Sequence, residues 1–182
     1  MVATLSEQVM LKAVENYVLH LDLIHEIQNV LGQDRRIELA RDTVRVFADM
    51  PALRVMCIEA AAKIKAPLVM ITVIDDSQQF YLATSGAELA PEPREHSLCL
   101  FVAASATPFI LNSIPEDSEL NRCFAVQERN VRAYMGYPIR REGLPLGAFC
   151  AIDFESHDWT DAQRACLEES AAETTALIAS LT

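Results

Sequence analysis

Residues 132–153 read RAYMGYPIRREGLPLGAFCAID, two apolar segments joined by a charged turn and carrying three glycines and two prolines. Glycine and proline weaken an ordinary strand, so inside apolar β-type runs they mark a bend, a bulge or a close backbone approach. The stretch therefore predicts a hairpin: strands over 131–139 and 144–154, joined through 140–143, bending beside the end of a sheet. Asp153, just past the second strand, is placed to accept backbone N–H bonds in the turn toward a following helix.

The flanking segments supply the rest of such a sheet. LVMITVID, residues 68–75, is apolar almost throughout and rich in β-branched side chains, which predicts a central strand buried on both faces. Asp75-Asp76-Ser77 makes a turn, and QQFYLAT returns as an alternating strand that Ser85-Gly86 ends. Residues 87–96 read as a loop containing Pro91, Pro93, Arg94 and His96. Ser97 is expected to cap a short helix, LCLFVAASA, stopped at Thr107-Pro108. A brief strand FIL, the acidic loop NSIPEDSE and a short segment through Phe124 precede the hairpin. Thr160 and Gln163 form a capping-box pattern opening a last helix with the stripe Leu167, Ala171, Thr174, Ile178 and Leu181.

The front of the chain is helical. Met10, Val14, Tyr17, Leu21, Ile24, Gln28 and Leu31 alternate at four and three residues, the narrow seam of helix–helix pairing. Gly32 offers a left-handed stop. Asp34 is expected to cap a second helix with the stripe Ile37, Ala40, Val44 and Phe47. Pro51 suits the first turn of a third, which presents Leu53, Cys57, Ala60 and Ile64. The reading divides the chain into a helical extension over 1–49 and a mixed domain over 50–182. It favours a subunit contact for the first helix.

Composition excludes several classes of partner. With 15 basic and 26 acidic residues the formal net charge is −11, which opposes nucleic-acid backbones and anionic lipid. No apolar run is long enough to span a bilayer, and the amino terminus shows no secretory pattern. The five cysteines, 57, 99, 123, 150 and 166, contain no C-x-x-C pair. An odd number without ligand rhythm predicts reduced cytoplasmic thiols, and the scattered histidines predict no metal site.

The order Tyr134, Gly136, Pro138, Gly143, Gly147, Cys150, Asp153, Thr160 and Gln163 resembles the carboxy-terminal half of a GAF domain. Upstream, Ala66-Pro67 before the buried strand resembles that family's entry into its sheet. Arg94-x-x-Ser97-x-Cys99 resembles the motif before its short internal helix. Asp117 with Arg122 and Phe124 resembles a broken form of its Asp-x-Arg-Phe pattern. The resemblance implies an α+β sandwich with about six mainly antiparallel strands, LVMITVID near the centre and helices on both sides. It also implies a site between the sheet and residues 91–130, with Tyr81, Arg94, Ser97, Cys99, Asn112 and Tyr134 as candidate ligand-binding residues.

The family's members implied by this resemblance bind small molecules and pass occupancy through helices to a kinase, cyclase or transcription regulator. The chain offers no room for such an output domain, so a homodimer acting on a kinase or transcription regulator in trans is expected. The small molecule stays unidentified; no cyclic-nucleotide motif is present. Two alternatives remain open. One is a free methionine-(R)-sulfoxide reductase using Cys123 with Cys99, since attack on a sulfoxide needs a second thiol to resolve the sulfenic acid. The other is a dimerisation scaffold that binds no ligand. A bilin photoreceptor is disfavoured because Leu100, not histidine, follows Cys99.

Overall fold

The computed structural model describes residues 27–181 apart from Asp49 and residues 116–118. The seam positions Met10, Val14, Tyr17, Leu21 and Ile24 and the motif position Asp117 therefore lie outside the described residues.

One six-stranded sheet organises the chain. Its strands are β1 (Leu68–Ile74), β2 (Gln78–Thr84), β3 (Glu92–Pro93), β4 (Phe109–Leu111), β5 (Ala133–Arg141) and β6 (Leu144–Asp153), in the spatial order β3-β2-β1-β6-β5-β4. Every neighbouring pair is antiparallel. β1 lies centrally and is buried at every position but the half-buried Leu68, as an uninterrupted apolar run requires. The β5–β6 hairpin turns through Glu142 and Gly143, both in the left-handed region, the backbone of a two-residue hairpin loop.

Helices α1 (Asp34–Phe47), α2 (Pro51–Ile64) and α5 (Asp161–Ser180) cover one face of the sheet. They bury Phe47, Leu53, Cys57, Ile64, Leu167, Ala171 and Ile178 against Val69, Ile71, Val73, Met135, Ile139 and Phe149. Pro51 occupies the first turn of α2, and the buried residues of α2 are the four its periodicity predicts. Thr160 accepts from the Gln163 N–H while the Gln163 side chain accepts from the Thr160 N–H, so the capping box that opens α5 is complete. The opposite face carries short elements: α3 (Cys99–Ser105), α4 (Phe124–Gln127) and the loops around them. Among the described residues no helix is long and apolar enough to cross a membrane.

Two local expectations are corrected. Asp34 is the first helical residue of α1, which has Gln33 at its N-cap and no side-chain cap bond. The buried face of α1 is Arg36, Leu39, Ala40, Thr43 and Phe47, while Ile37 and Val44 are half-buried. The rotation seats Arg36, whose guanidinium donates to the carbonyls of Pro145, Ile74, Leu31 and Leu146 at 2.8–3.2 Å. The stripe read for α5 is otherwise as expected: Leu167, Ala171, Thr174 and Ile178 pack into the domain's own core and leave only Leu181 of it exposed. Leu31, at the end of the seam read from the sequence, is likewise buried in the core on the α3 face. Residues 27–47 thus pack against the same sheet as residues 50–181.

Candidate functional site

The α3 face of the sheet carries polar side chains where a simple core would be apolar. Gln79 and Tyr81 share one side of β2, and Glu92 in β3 lies opposite Gln79 in register. The Glu92 carboxylate, nearly buried, accepts from the Tyr81 hydroxyl, from Gln79 Nε2 at 3.3 Å and from Arg129 Nη2 at 2.7 Å. Arg129, between α4 and β5, also donates to the Tyr81 oxygen at 3.2 Å. Ser97 Oγ donates to Gln79 Oε1 and accepts from the Cys99 N–H at 3.0 Å. So Ser97 does organise the start of α3, although Leu98 is its N-cap.

A ring stack closes this network from outside. His96, in the 3-10 turn Arg94–His96, stacks on Phe124 with centroids 4.0 Å apart, and the Arg129 guanidinium lies 5.7 Å from the same ring. His96 Nδ1 is 3.8 Å from Glu92 and has no hydrogen-bond partner. Burial, reinforced by the Glu92 carboxylate, pushes the Tyr81 phenol well above its ordinary value. Beneath the stack is a cavity of about 40 Å³ walled by Tyr81, Glu92, Ser97, Cys99, Arg129 and Tyr134, among others.

Cys99 and Tyr134 form its floor. The Tyr134 hydroxyl donates to Cys99 Sγ at 3.3 Å, and Cys150 Sγ lies 3.4 Å from Cys99 Sγ. The sequence motif Tyr-x-Gly has its physical reason here: the Tyr134 ring lies over Gly136, where a Cβ would come within 2.8 Å of Tyr134 Cζ. Burial alone would raise the Cys99 thiol, but the adjoining Cys150 thiol and the Tyr134 hydroxyl outweigh it and hold it below the ordinary thiol value. Burial and the neighbouring Cys99 hold Cys150 well above the ordinary thiol value.

Tyr81, Ser97, Cys99 and Tyr134, four residues singled out from the sequence, thus meet at one cavity. The other two lie elsewhere. Arg94 is buried with its Nε donating to Glu95, and Asn112 lies past the end of β4, its carbonyl accepting from the His157 N–H. Cys123 is buried outside the cavity wall, with its Sγ 3.9 Å from the His96 carbonyl. Glu92, Arg129 and Gln79 were missed from the sequence. For Gln79 the signal existed, because an alternating strand that puts glutamine and tyrosine on one face next to a buried strand is polar where it should be apolar.

A family model for the GAF domain matches residues 25–178. A stretch of 98 residues is 30% identical to part of a cyclic di-GMP phosphodiesterase of Pseudomonas aeruginosa, covering 53% of this chain and 17% of that protein. Among solved structures, the blue-light-absorbing form of the PixJ GAF domain of Thermosynechococcus elongatus is similar with a TM-score of 0.57 and 20% identity, over 80% of this chain and 89% of that one. Free methionine-R-sulfoxide reductase of Neisseria meningitidis, in complex with its substrate, is similar with a TM-score of 0.57 and 12% identity, over 98% and 96%. At these identities the structural likeness is one of fold.

Proposed function

The chain belongs to the GAF domain family, and from that premise we propose that it is a regulatory module binding a compact polar molecule between the sheet and residues 91–130. The observation that carries this reading is the Glu92–Arg129–Tyr81–Gln79 network over the cavity. Glu92 is nearly buried while Arg129 stays partly exposed, and such a pair adds little to a fold, so the network supports a role beyond stability. The cavity of about 40 Å³ holds on the order of one to three waters, against roughly 300–1,000 Å³ for ordinary ligand sites. Binding therefore requires opening. Glu92 and Arg129 stand near the two ends of the covering segment, and their bridge is its latch. The ligand presents an anionic group to Arg129 in place of Glu92, and a hydrogen-bond donor to the freed carboxylate.

A thermal-shift panel of small carboxylates, amino acids and phosphates tests this. A ligand at tenfold its Kd is expected to raise Tm by about 3–6 °C in the wild type and to leave Arg129→Gln unshifted. Equal shifts in both, or none across the panel, count against the site. Cys99 in the cavity wall with its lowered thiol value also supports the free methionine-(R)-sulfoxide reductase reading with Cys123. Turnover of that substrate with a thiol reductant, lost in Cys123→Ser, is the result that replaces the regulatory reading with it.

Signalling in this proposal runs through a cytoplasmic homodimer to a kinase or transcription regulator in trans. Exposed Val55, Ile58 and Leu181 on α2 and at the end of α5 offer apolar surface beyond the Leu21 seam. Leu21→Glu is expected to give a folded monomer by light scattering, because an unpaired charge in a buried seam is costly. A wild type monomeric at micromolar concentration removes the dimer, and an Ile58→Glu variant that alone becomes monomeric moves it to α2.

A further inference from the structure

Cys99 and Cys150 belong to different elements, the first turn of α3 and the middle of β6, yet their sulfurs are 3.4 Å apart. Both are almost fully buried. We propose that Cys99 and Cys150 form a reversible intramolecular disulfide in the folded protein, with a small neutral peroxide admitted through the cavity as the oxidant.

The geometry divides the roles. Cys99 lines the cavity and Cys150 is not in its wall, so Cys99 meets the oxidant and Cys150 resolves from behind. The Tyr134 hydroxyl, donating to Cys99 Sγ at 3.3 Å, stabilises the thiolate that must attack, together with the Cys150 thiol 3.4 Å away. Gly136 allows this, since the Tyr134 ring occupies the space of its missing side chain, and Gly136 is the β5 partner of Cys150 in register. A cavity of about 40 Å³ admits hydrogen peroxide, two heavy atoms without charge, and rejects a bulky disulfide such as oxidised glutathione.

The steps balance. Cys99 thiolate attacks one peroxide oxygen and the O–O bond breaks. Cys99 becomes a sulfenic acid, and the departing hydroxide takes up the proton that left the thiol, forming water. Cys150 sulfur then attacks Cys99 sulfur, the S–O bond breaks, and the second hydroxide leaves as water with the Cys150 proton. Two thiols are oxidised to one disulfide and one hydrogen peroxide is reduced to two waters. Closing the sulfurs to about 2.05 Å moves them together by roughly 1.3 Å. That draws Cys99 Sγ from the cavity wall toward Cys150, so oxidation state and cavity shape change together. No bound ligand is required, so disulfide formation is independent of small-molecule binding.

The test is peroxide treatment of the reduced, folded chain at neutral pH, followed by alkylation, digestion and mass spectrometry, with circular dichroism in parallel. The expected result is a Cys99–Cys150 link with the fold retained, reversed by dithiothreitol and not produced by oxidised glutathione. It should form faster than oxidation at the more exposed Cys166, because the Tyr134 hydroxyl supports the Cys99 thiolate and Cys150 stands 3.4 Å away to resolve its sulfenic acid. In Cys150→Ala, Cys99 should stop at a sulfenic acid that dimedone traps when the peroxide-treated protein is unfolded in its presence; if that variant does not fold before treatment, the wild-type link map decides alone. Cys166 reacting first, a link that appears only as the fold is lost, or a Cys99–Cys123 link overturns the proposal.

Discussion

Gly147→Ala is expected to destabilise the chain by about 3 kcal/mol or more, seen as a fall in Tm of roughly 6–12 °C. Gly147 pairs with Val73 where β6 crosses β1 at the centre of the sheet. A Cβ there would fall inside the radius of the Thr72 carbonyl oxygen, 2.7 Å from the carbonyl carbon and 2.9 Å from Val73 Cα. The obstacle is backbone, so no rotamer change relieves it and the two strands must separate. Gly86→Ala is the control: nothing lies within 4 Å of its Cβ position, and the change should stay within about 0.5 kcal/mol. Equal midpoints for the two variants in urea titration would show that β1 and β6 are not so tightly seated.

Arg36→Met should cost about 2–4 kcal/mol, since several buried carbonyls lose a donor at roughly 1–3 kcal/mol each while the cost of desolvating a cation is recovered. Arg36 is almost wholly buried and binds the carbonyls of Leu31, Ile74, Pro145 and Leu146. It therefore ties the chain before α1 to the ends of β1 and β6. Burial, with repulsion from Arg94 and against the attraction of Asp75, pushes its guanidinium down to about 10. Arg36→Lys should recover part of the loss at most, because an ammonium is a point donor and cannot span carbonyls from three segments. Full recovery by lysine in denaturant titration would mean that charge, not the planar fork, holds this junction.

Arg36 also marks where the sequence stopped being legible. The stripe Ile37, Ala40, Val44 and Phe47 has helical spacing, but the buried face follows Arg36 because carbonyls about 110 residues away in sequence need its donors. Local signals transferred well. Pro51 at a first turn, the Thr160–Gln163 box and the apolar run of β1 all depend on residues within a few positions of one another. The site divides the same way. Tyr81, Ser97, Cys99 and Tyr134 were found because each lies in a local motif or strand pattern. Glu92 and Arg129 were not, since each is an ordinary charged loop residue until folding brings them together across 37 positions. Cys150 does not stand out in the sequence for the same reason; only the packing of α3 on β6 sets it beside Cys99. Asn112 is a candidate because it lies within residues 91–130, but the pairing of β4 with β5 ends at Leu111 opposite Tyr134, and Asn112 turns past it toward His157.

Native mass spectrometry of the full chain, purified without denaturation, tests most directly whether the space beneath the Glu92–Arg129 latch is a ligand site. The expected spectrum shows the protein carrying an additional small mass that is released on denaturation and absent from Arg129→Gln. A spectrum of bare protein that stays bare when the thermal-shift panel is added, or an added mass that Arg129→Gln retains in full, contradicts binding at this site.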